Sequence, residues 1–158
     1  MRSPGRARDD RFLWWTLVLA VVLRALPLLV WGDGSCTRDE CTYVQIADRL
    51  QAGRGMTGSA GWIWAPGYPA YLALHGWLFG SYLAARASQI LVAVVVTVLV
   101  YGLGRRLFDR ATARTAALLY AASPSLAFYA ISLWSETLYT ATLLGALLAL
   151  AAARDRRT

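Results

Sequence analysis

The chain has 158 residues, 58% of them hydrophobic and 16% charged, with a formal net charge of +7. Apolar runs long enough to span a bilayer separate the charges, which indicates an integral membrane protein. All sixteen basic residues are arginine and sit in short clusters between those runs. That is the pattern of membrane topology and excludes nucleic acid as a partner.

Residues 1–11 read as a short cytoplasmic tail. Residues 12–31 form the first span, an uncleaved anchor because no A-x-A-like cleavage site follows. Pro27 should bend this helix. Arg24 lies deep within it and either faces protein or water, or snorkels to the outer interface.

Residues 32–82 form a polar loop. Within it Tyr43, Ile46, Ala47 and Leu50 recur at i, i+3, i+4 and i+7, the apolar stripe of a helix lying along the membrane near 39–52. Asp39, Glu40, Gln45, Asp48 and Arg49 are expected off that stripe. Residues 51–61 are rich in glycine, serine and threonine and read as loop. Trp62 and Trp64 suit the water–lipid boundary. A second helix is expected near 66–80, with Pro66 at its start; it is too short to span and reads as interfacial or re-entrant.

Residues 83–104 are the second span and 105–114 an arginine-rich cytoplasmic loop. A third span is expected at 115–131, softened by Ser123-Pro124-Ser125. The fourth is expected at 135–153, followed by a tail at 154–158. Eleven of the sixteen arginines fall in the two tails and the 105–114 loop. The positive-inside rule then puts both termini in the cytoplasm and residues 32–82 outside.

Few residues could carry chemistry. Asp39 and Glu40 are adjacent carboxylates at a helix start. They could act as a general base or hold a divalent cation, or they could simply be the acids that favour a helix N-terminus. Glu136, at the outer start of the fourth span, carries the same two readings. Cys36 and Cys41 could form a small disulfide in an extracytoplasmic loop, or be incidental thiols. His75, the one histidine, reads as packed or interfacial. No nucleophile–base pair, glycine-rich phosphate loop or metal-spacing cluster is present in the sequence.

The run Asp39-Glu40-Cys41-Thr42-Tyr43-Val44-Gln45-Ile46-Ala47-Asp48-Arg49-Leu50 resembles the first-loop motif of GT-C-fold glycosyltransferases. The resemblance continues through Gly53-Arg54-Gly55, Pro66-Gly67-Tyr68-Pro69, Leu78-Phe79-Gly80, Arg105-Arg106-Leu107-Phe108 and Ser135-Glu136-Thr137-Leu138. The set is similar to the protein O-mannosyltransferase, aminoarabinose-transferase and Rgt-like branch. It implies an all-α integral membrane fold of about four transmembrane helices in this portion, with two interfacial helices in the first outer loop. It also implies a bacterial-type plasma membrane location, membrane lipid as a partner and a polyprenyl-phosphate-linked sugar as donor.

By the same resemblance Asp39 is the catalytic carboxylate that deprotonates the acceptor hydroxyl. Glu40, Tyr43, Arg54, Pro66, Tyr68, Arg86 and Glu136 are candidates for the donor phosphate or the pocket. The aminoarabinose branch places a lysine before the second loop helix, where this chain has Trp64-Ala65-Pro66, so Arg54 or Arg86 is expected to supply that charge. Relatives have many more spans. The expectation is therefore an N-terminal part, inactive alone and completed by further chain or a partner subunit; the alternative is a small non-enzymatic scaffold or assembly subunit, or a degenerate remnant.

Overall fold

The computed structural model describes residues 4–31, 36, 38–56 and 64–155. Trp62, the rest of the 57–63 loop and the arginines at 2, 156 and 157 lie outside the described residues. The described residues form seven helices and no strand: α1 Pro4–Trp31, α2 Asp39–Gln51, α3 Gly67–Phe79, α4 Tyr82–Leu107, α5 Arg110–Ala122, α6 Pro124–Ile131 and α7 Glu136–Asp155. The protein is an all-α membrane protein. Segments Asp9–Val30, Tyr82–Leu107 and Glu136–Arg154 are each long and apolar enough to cross a bilayer.

α4 is the hub, packing against α1, α3, α5, α6 and α7, while α2 packs chiefly on α3. Large apolar side chains face outward along α1, α4 and α7, among them Leu29, Val30, Leu91, Val95, Leu143 and Leu150. In a bilayer that outward apolar surface meets lipid or another helix, and close approach and polar contacts hold the bundle instead. At Gly104 a Cβ would stand 2.9 Å from the Cα of Ala113, so α4 and α5 cross almost backbone to backbone.

Two spans differ from the sequence expectation. α1 begins at Pro4, so residues 4–11 are helical rather than a tail. Asp9 anchors this extension, binding Arg110 at 2.9 Å and also pairing with Arg114. The region 115–131 is not one helix. Pro124 has no N–H to give the Tyr120 carbonyl, and its ring crowds that turn. Ser123 adopts extended backbone, ends α5 and caps α6 by accepting the Leu126 N–H at 3.4 Å. α5 itself starts at Arg110, capped by Asp109, whose carboxylate is held below its ordinary range by the Thr112 N–H.

α2 and α3 occupy the two loop stretches where helices were expected. Each has 13 residues, about 20 Å of rise, which is short of a roughly 30 Å hydrocarbon core. Gly80, at φ 64°, ends α3 in the left-handed conformation glycine favours, and Ser81 then caps α4. α1 runs through Pro27 as one helix.

Two glycine substitutions separate close packing from helix propensity. Gly104→Ala is expected to destabilise the bundle by about 1–3 kcal/mol, because the Ala113 backbone must move. Gly102→Ala meets only the Leu148 side chain at 3.6 Å and should be neutral or stabilising. Unfolding by detergent titration in mixed micelles reads the difference; equal effects would contradict the crossing.

Candidate functional site

The sequence pair Asp39-Glu40 splits into two roles as soon as α2 is built. Successive helical side chains diverge by about 100°. Glu40 shares a face with Tyr43 and Ala47, at i+3 and i+7, and is only 5% exposed; Asp39 points to solvent. The expectation that Glu40 lies off the buried stripe is therefore wrong.

A buried carboxylate needs a partner, and Glu40 has three elements around it. Its Oε1 lies 2.6 Å from Arg86 Nη2 on α4 and accepts the Leu133 backbone N–H at 3.0 Å. Arg86, 8% exposed, also donates through Nη1 to the Ile131 carbonyl at 2.6 Å. One turn further, Gln89 donates to the Ser132 carbonyl at 2.7 Å and accepts the Tyr68 hydroxyl proton at 3.0 Å. Three backbone groups where α6 runs into the linker to α7, the carbonyls of Ile131 and Ser132 and the N–H of Leu133, are thus bonded by α2 and α4.

Around this network sits an apolar cluster of Tyr43, Ala47, Tyr68, Leu72, Ala85 and Leu133. Tyr43 packs on Trp64 at 5.0 Å and Tyr68 at 4.8 Å between ring centroids, both favourable tilted or edge geometries. Burial drives the Tyr68 hydroxyl far above its ordinary range, so it acts as a neutral donor. Tyr43 is also raised, first by burial and then by the charges of Glu136 and Asp39, while its hydrogen bond to Ser135 at 3.2 Å opposes the shift. That hydrogen bond links α2 to Ser135, the residue just before α7.

Asp39 and Glu136 are both exposed. Asp39 and Glu40 point apart and do not form a shared ligand set. Among the described residues no group of three or more His, Cys, Asp and Glu could hold a metal ion. Cys36 and Cys41 are disulfide-bonded, with Cα atoms 5.0 Å apart, closing a small ring that contains Arg38, Asp39 and Glu40.

The structure does not bring every candidate together. Arg54 follows the far end of α2, about 18 Å of helix from Asp39. It lies in a Gly53-Arg54-Gly55 turn with both glycines at positive φ. Arg86 is committed to Glu40 and Ile131. Pro66 is the exposed N-cap of α3 and lines no part of the buried network. Arg38, which the sequence reading passed over, is exposed immediately before Asp39 at φ 51°. Its only sequence signal is adjacency to the acidic pair. His75 is a packing residue: its Nδ1–H donates to the Tyr71 carbonyl and its Nε2 meets Ser88 Oγ, both at 2.9 Å.

Three helices long and apolar enough to cross a bilayer, joined by shorter ones, define a polytopic membrane protein. The chain belongs to the dolichyl-phosphate-mannose-protein mannosyltransferase family, whose model matches residues 65–158. The match contains Tyr68, Arg86, the 131–135 linker and Glu136, and it begins after α2. No curated protein and no solved structure matches the chain. The protein is thus a membrane protein of mannosyltransferase type, with the GT-C-like N-terminal portion the motifs imply.

Breaking the buried pair from one side should be costly. Glu40→Ala or Arg86→Ala is expected to lose about 3–5 kcal/mol, since each strands a buried charge. The double variant Glu40→Leu/Arg86→Met should recover most of that loss. Thermal or detergent unfolding of the three proteins checks it, and a double variant as unstable as the sum of the singles would contradict a paired charge.

Proposed function

We propose that this protein takes part in transfer of a sugar, mannose or a close relative, from a polyprenyl-phosphate donor to an acceptor hydroxyl at the extracytoplasmic membrane surface, with Asp39 as general base. The observation that carries the reading is the division of labour in the acidic pair. Glu40 is buried and neutralised, and its neighbour on the same rigid helix turn is left exposed beside Tyr43, Ser135 and Glu136. Family membership supports the donor class.

In this reading Asp39 takes the proton of the acceptor hydroxyl as that oxygen bonds to the anomeric carbon. The bond from that carbon to the phosphate oxygen breaks, and the electron pair leaves with the lipid phosphate. Arg38, exposed and adjacent, is the cation we assign to the phosphate; it replaces Arg54 and Arg86, which are remote and buried respectively. Tyr43 and Glu136 border the sugar. α2 and α3 lie along the membrane surface, with Trp77, Leu78 and Phe79 of α3 turned to lipid. α5 and α6 together form the broken third of four crossings, and with the arginine distribution we read both termini as cytoplasmic in a plasma-membrane protein.

Asp39→Asn keeps the shape of the helix start and removes the base. Placed in the full-length parent or in a reconstituted pair with its partner, it should insert and fold normally and lose transfer by about 100- to 10,000-fold, assayed with polyprenyl-phosphate-linked mannose in membranes. Near-normal transfer would leave Asp39 a helix-start acid only. Arg38→Ala should raise the donor KM about ten- to a hundredfold while changing kcat less, as expected for lost charge-assisted bonds to a ground-state phosphate. An unchanged KM would reject that assignment.

Topology has its own check. Single cysteines introduced at Ser59 and Thr112 should label from opposite sides, Ser59 from outside. Labelling of Thr112 from outside would overturn the orientation.

A further inference from the structure

Arg24 is a charged side chain in the middle of a membrane span with none of its surface exposed. Its guanidinium does not reach the Glu40–Arg86 network described above. Nη1 donates to the Ala121 carbonyl at 3.0 Å and Nη2 to the Tyr120 carbonyl at 3.2 Å, with a further bond from Nη1 to the Ala20 carbonyl of its own helix at 3.1 Å. The charge also sits 5.3 Å from the centre of the Tyr120 ring.

The two acceptors on α5 are significant. In an unbroken helix the Tyr120 carbonyl would receive the N–H of residue 124, and the Ala121 carbonyl that of residue 125. Residue 124 is proline and has no N–H to give. The extended backbone of Ser123 removes residue 125 from range as well. Both carbonyls would otherwise stand unpaired inside the membrane, where no water can take the place of the lost donor. They also form the negative end of the α5 dipole, which favours a cation.

We infer that Arg24 supplies, from α1, the two hydrogen bonds that the Ser123-Pro124 break removes from α5, and that it is thereby a positioning residue for the Glu40–Arg86 network. α6 has only eight residues, ends at Ile131 and leads directly into Ser132 and Leu133. Those residues give the carbonyls to Arg86 and Gln89 and the N–H to Glu40. Arg24 fixes where α5 stops, the break fixes where α6 starts, and α6 delivers the backbone that neutralises the Glu40–Arg86 pair. The consequence for transfer rests on the function proposed above; the coupling of Arg24 to the break does not.

The test is a double-mutant cycle on the protein in lipid nanodiscs, read by thermal unfolding and by amide hydrogen exchange. Arg24→Leu should lower the unfolding midpoint by about 5–10 °C, and Arg24→Lys by less, since one ammonium can serve only part of the pair. In a Pro124→Ala background residue 124 regains its N–H, the helix can close over Tyr120, and Arg24→Leu should cost less than half as much. The Leu133 amide should exchange about tenfold faster in Arg24→Leu relative to the α4 amides, and recover in the double variant. Equal cost of Arg24→Leu in both backgrounds, or a Leu133 amide that slows and quickens only with the whole protein, overturns the inference. Should Arg24→Leu fail to insert, insertion of the double variant supports the coupling, and failure of both refutes it. Because neither readout uses sugar transfer, loss of the proposed activity and loss of this coupling are separately visible.

Discussion

The structure depends on keeping one carboxylate and one guanidinium out of water. Glu40 and Arg86 meet at 2.6 Å from helices that the sequence separates by 46 positions, and neither is tolerable alone. Each also bonds to the backbone of the α6–α7 region: Arg86 donates to the Ile131 carbonyl and Glu40 accepts the Leu133 N–H. Three segments that local propensity would leave independent therefore meet at one place: the loop helix α2, the central helix α4 and the α6–α7 linker. A buried ion pair adds little net stability over a well-packed apolar core, but it admits few alternative arrangements. What it provides here is register: with Glu40 fixed inward, Asp39 has only the outward direction left.

The same economy of polar groups recurs deeper in the bundle. A membrane interior has no water to complete a broken helix, so every irregularity must be matched by another part of the chain. Arg24 matches the break at Pro124, and Asp109 and Ser123 cap the helices on either side of it. At the arginine-rich end of the bundle Asp9 pairs with Arg110 and Arg114. These contacts join α1 to α5 at both depths, which explains how thirteen- and eight-residue helices are held in place beside three full-length spans.

How much of this was legible in the sequence follows from what is local. α2 could be read from the apolar stripe at Tyr43, Ile46, Ala47 and Leu50, and α3 from Pro66 near its start, because both are local signals. The apolar length of α1, α4 and α7 was equally plain. The burial of Glu40 was within reach: its i, i+3, i+7 relation to Tyr43 and Ala47 puts it on the stripe, and assuming that an acid must face water hid it. The partner could not be found that way, because nothing near Arg86 in sequence marks it for Glu40. The split of the third span at Pro124 was half visible as a softening, and the donor that makes the split affordable sits 100 positions away at Arg24. Arg38 carries no periodic signal at all; only its exposure and positive φ beside Asp39 single it out.

The most direct measurement is a cryo-electron microscopy reconstruction of the protein in a lipid nanodisc with a non-hydrolysable polyprenyl-phosphate-sugar analogue bound. The account predicts the sugar ring against Asp39, Tyr43 and Glu136, the phosphate beside Arg38, and the Glu40–Arg86 pair unbroken beneath them. A sugar or phosphate that displaces Glu40 from Arg86, or that binds at the opposite, arginine-rich end of the bundle, would contradict it.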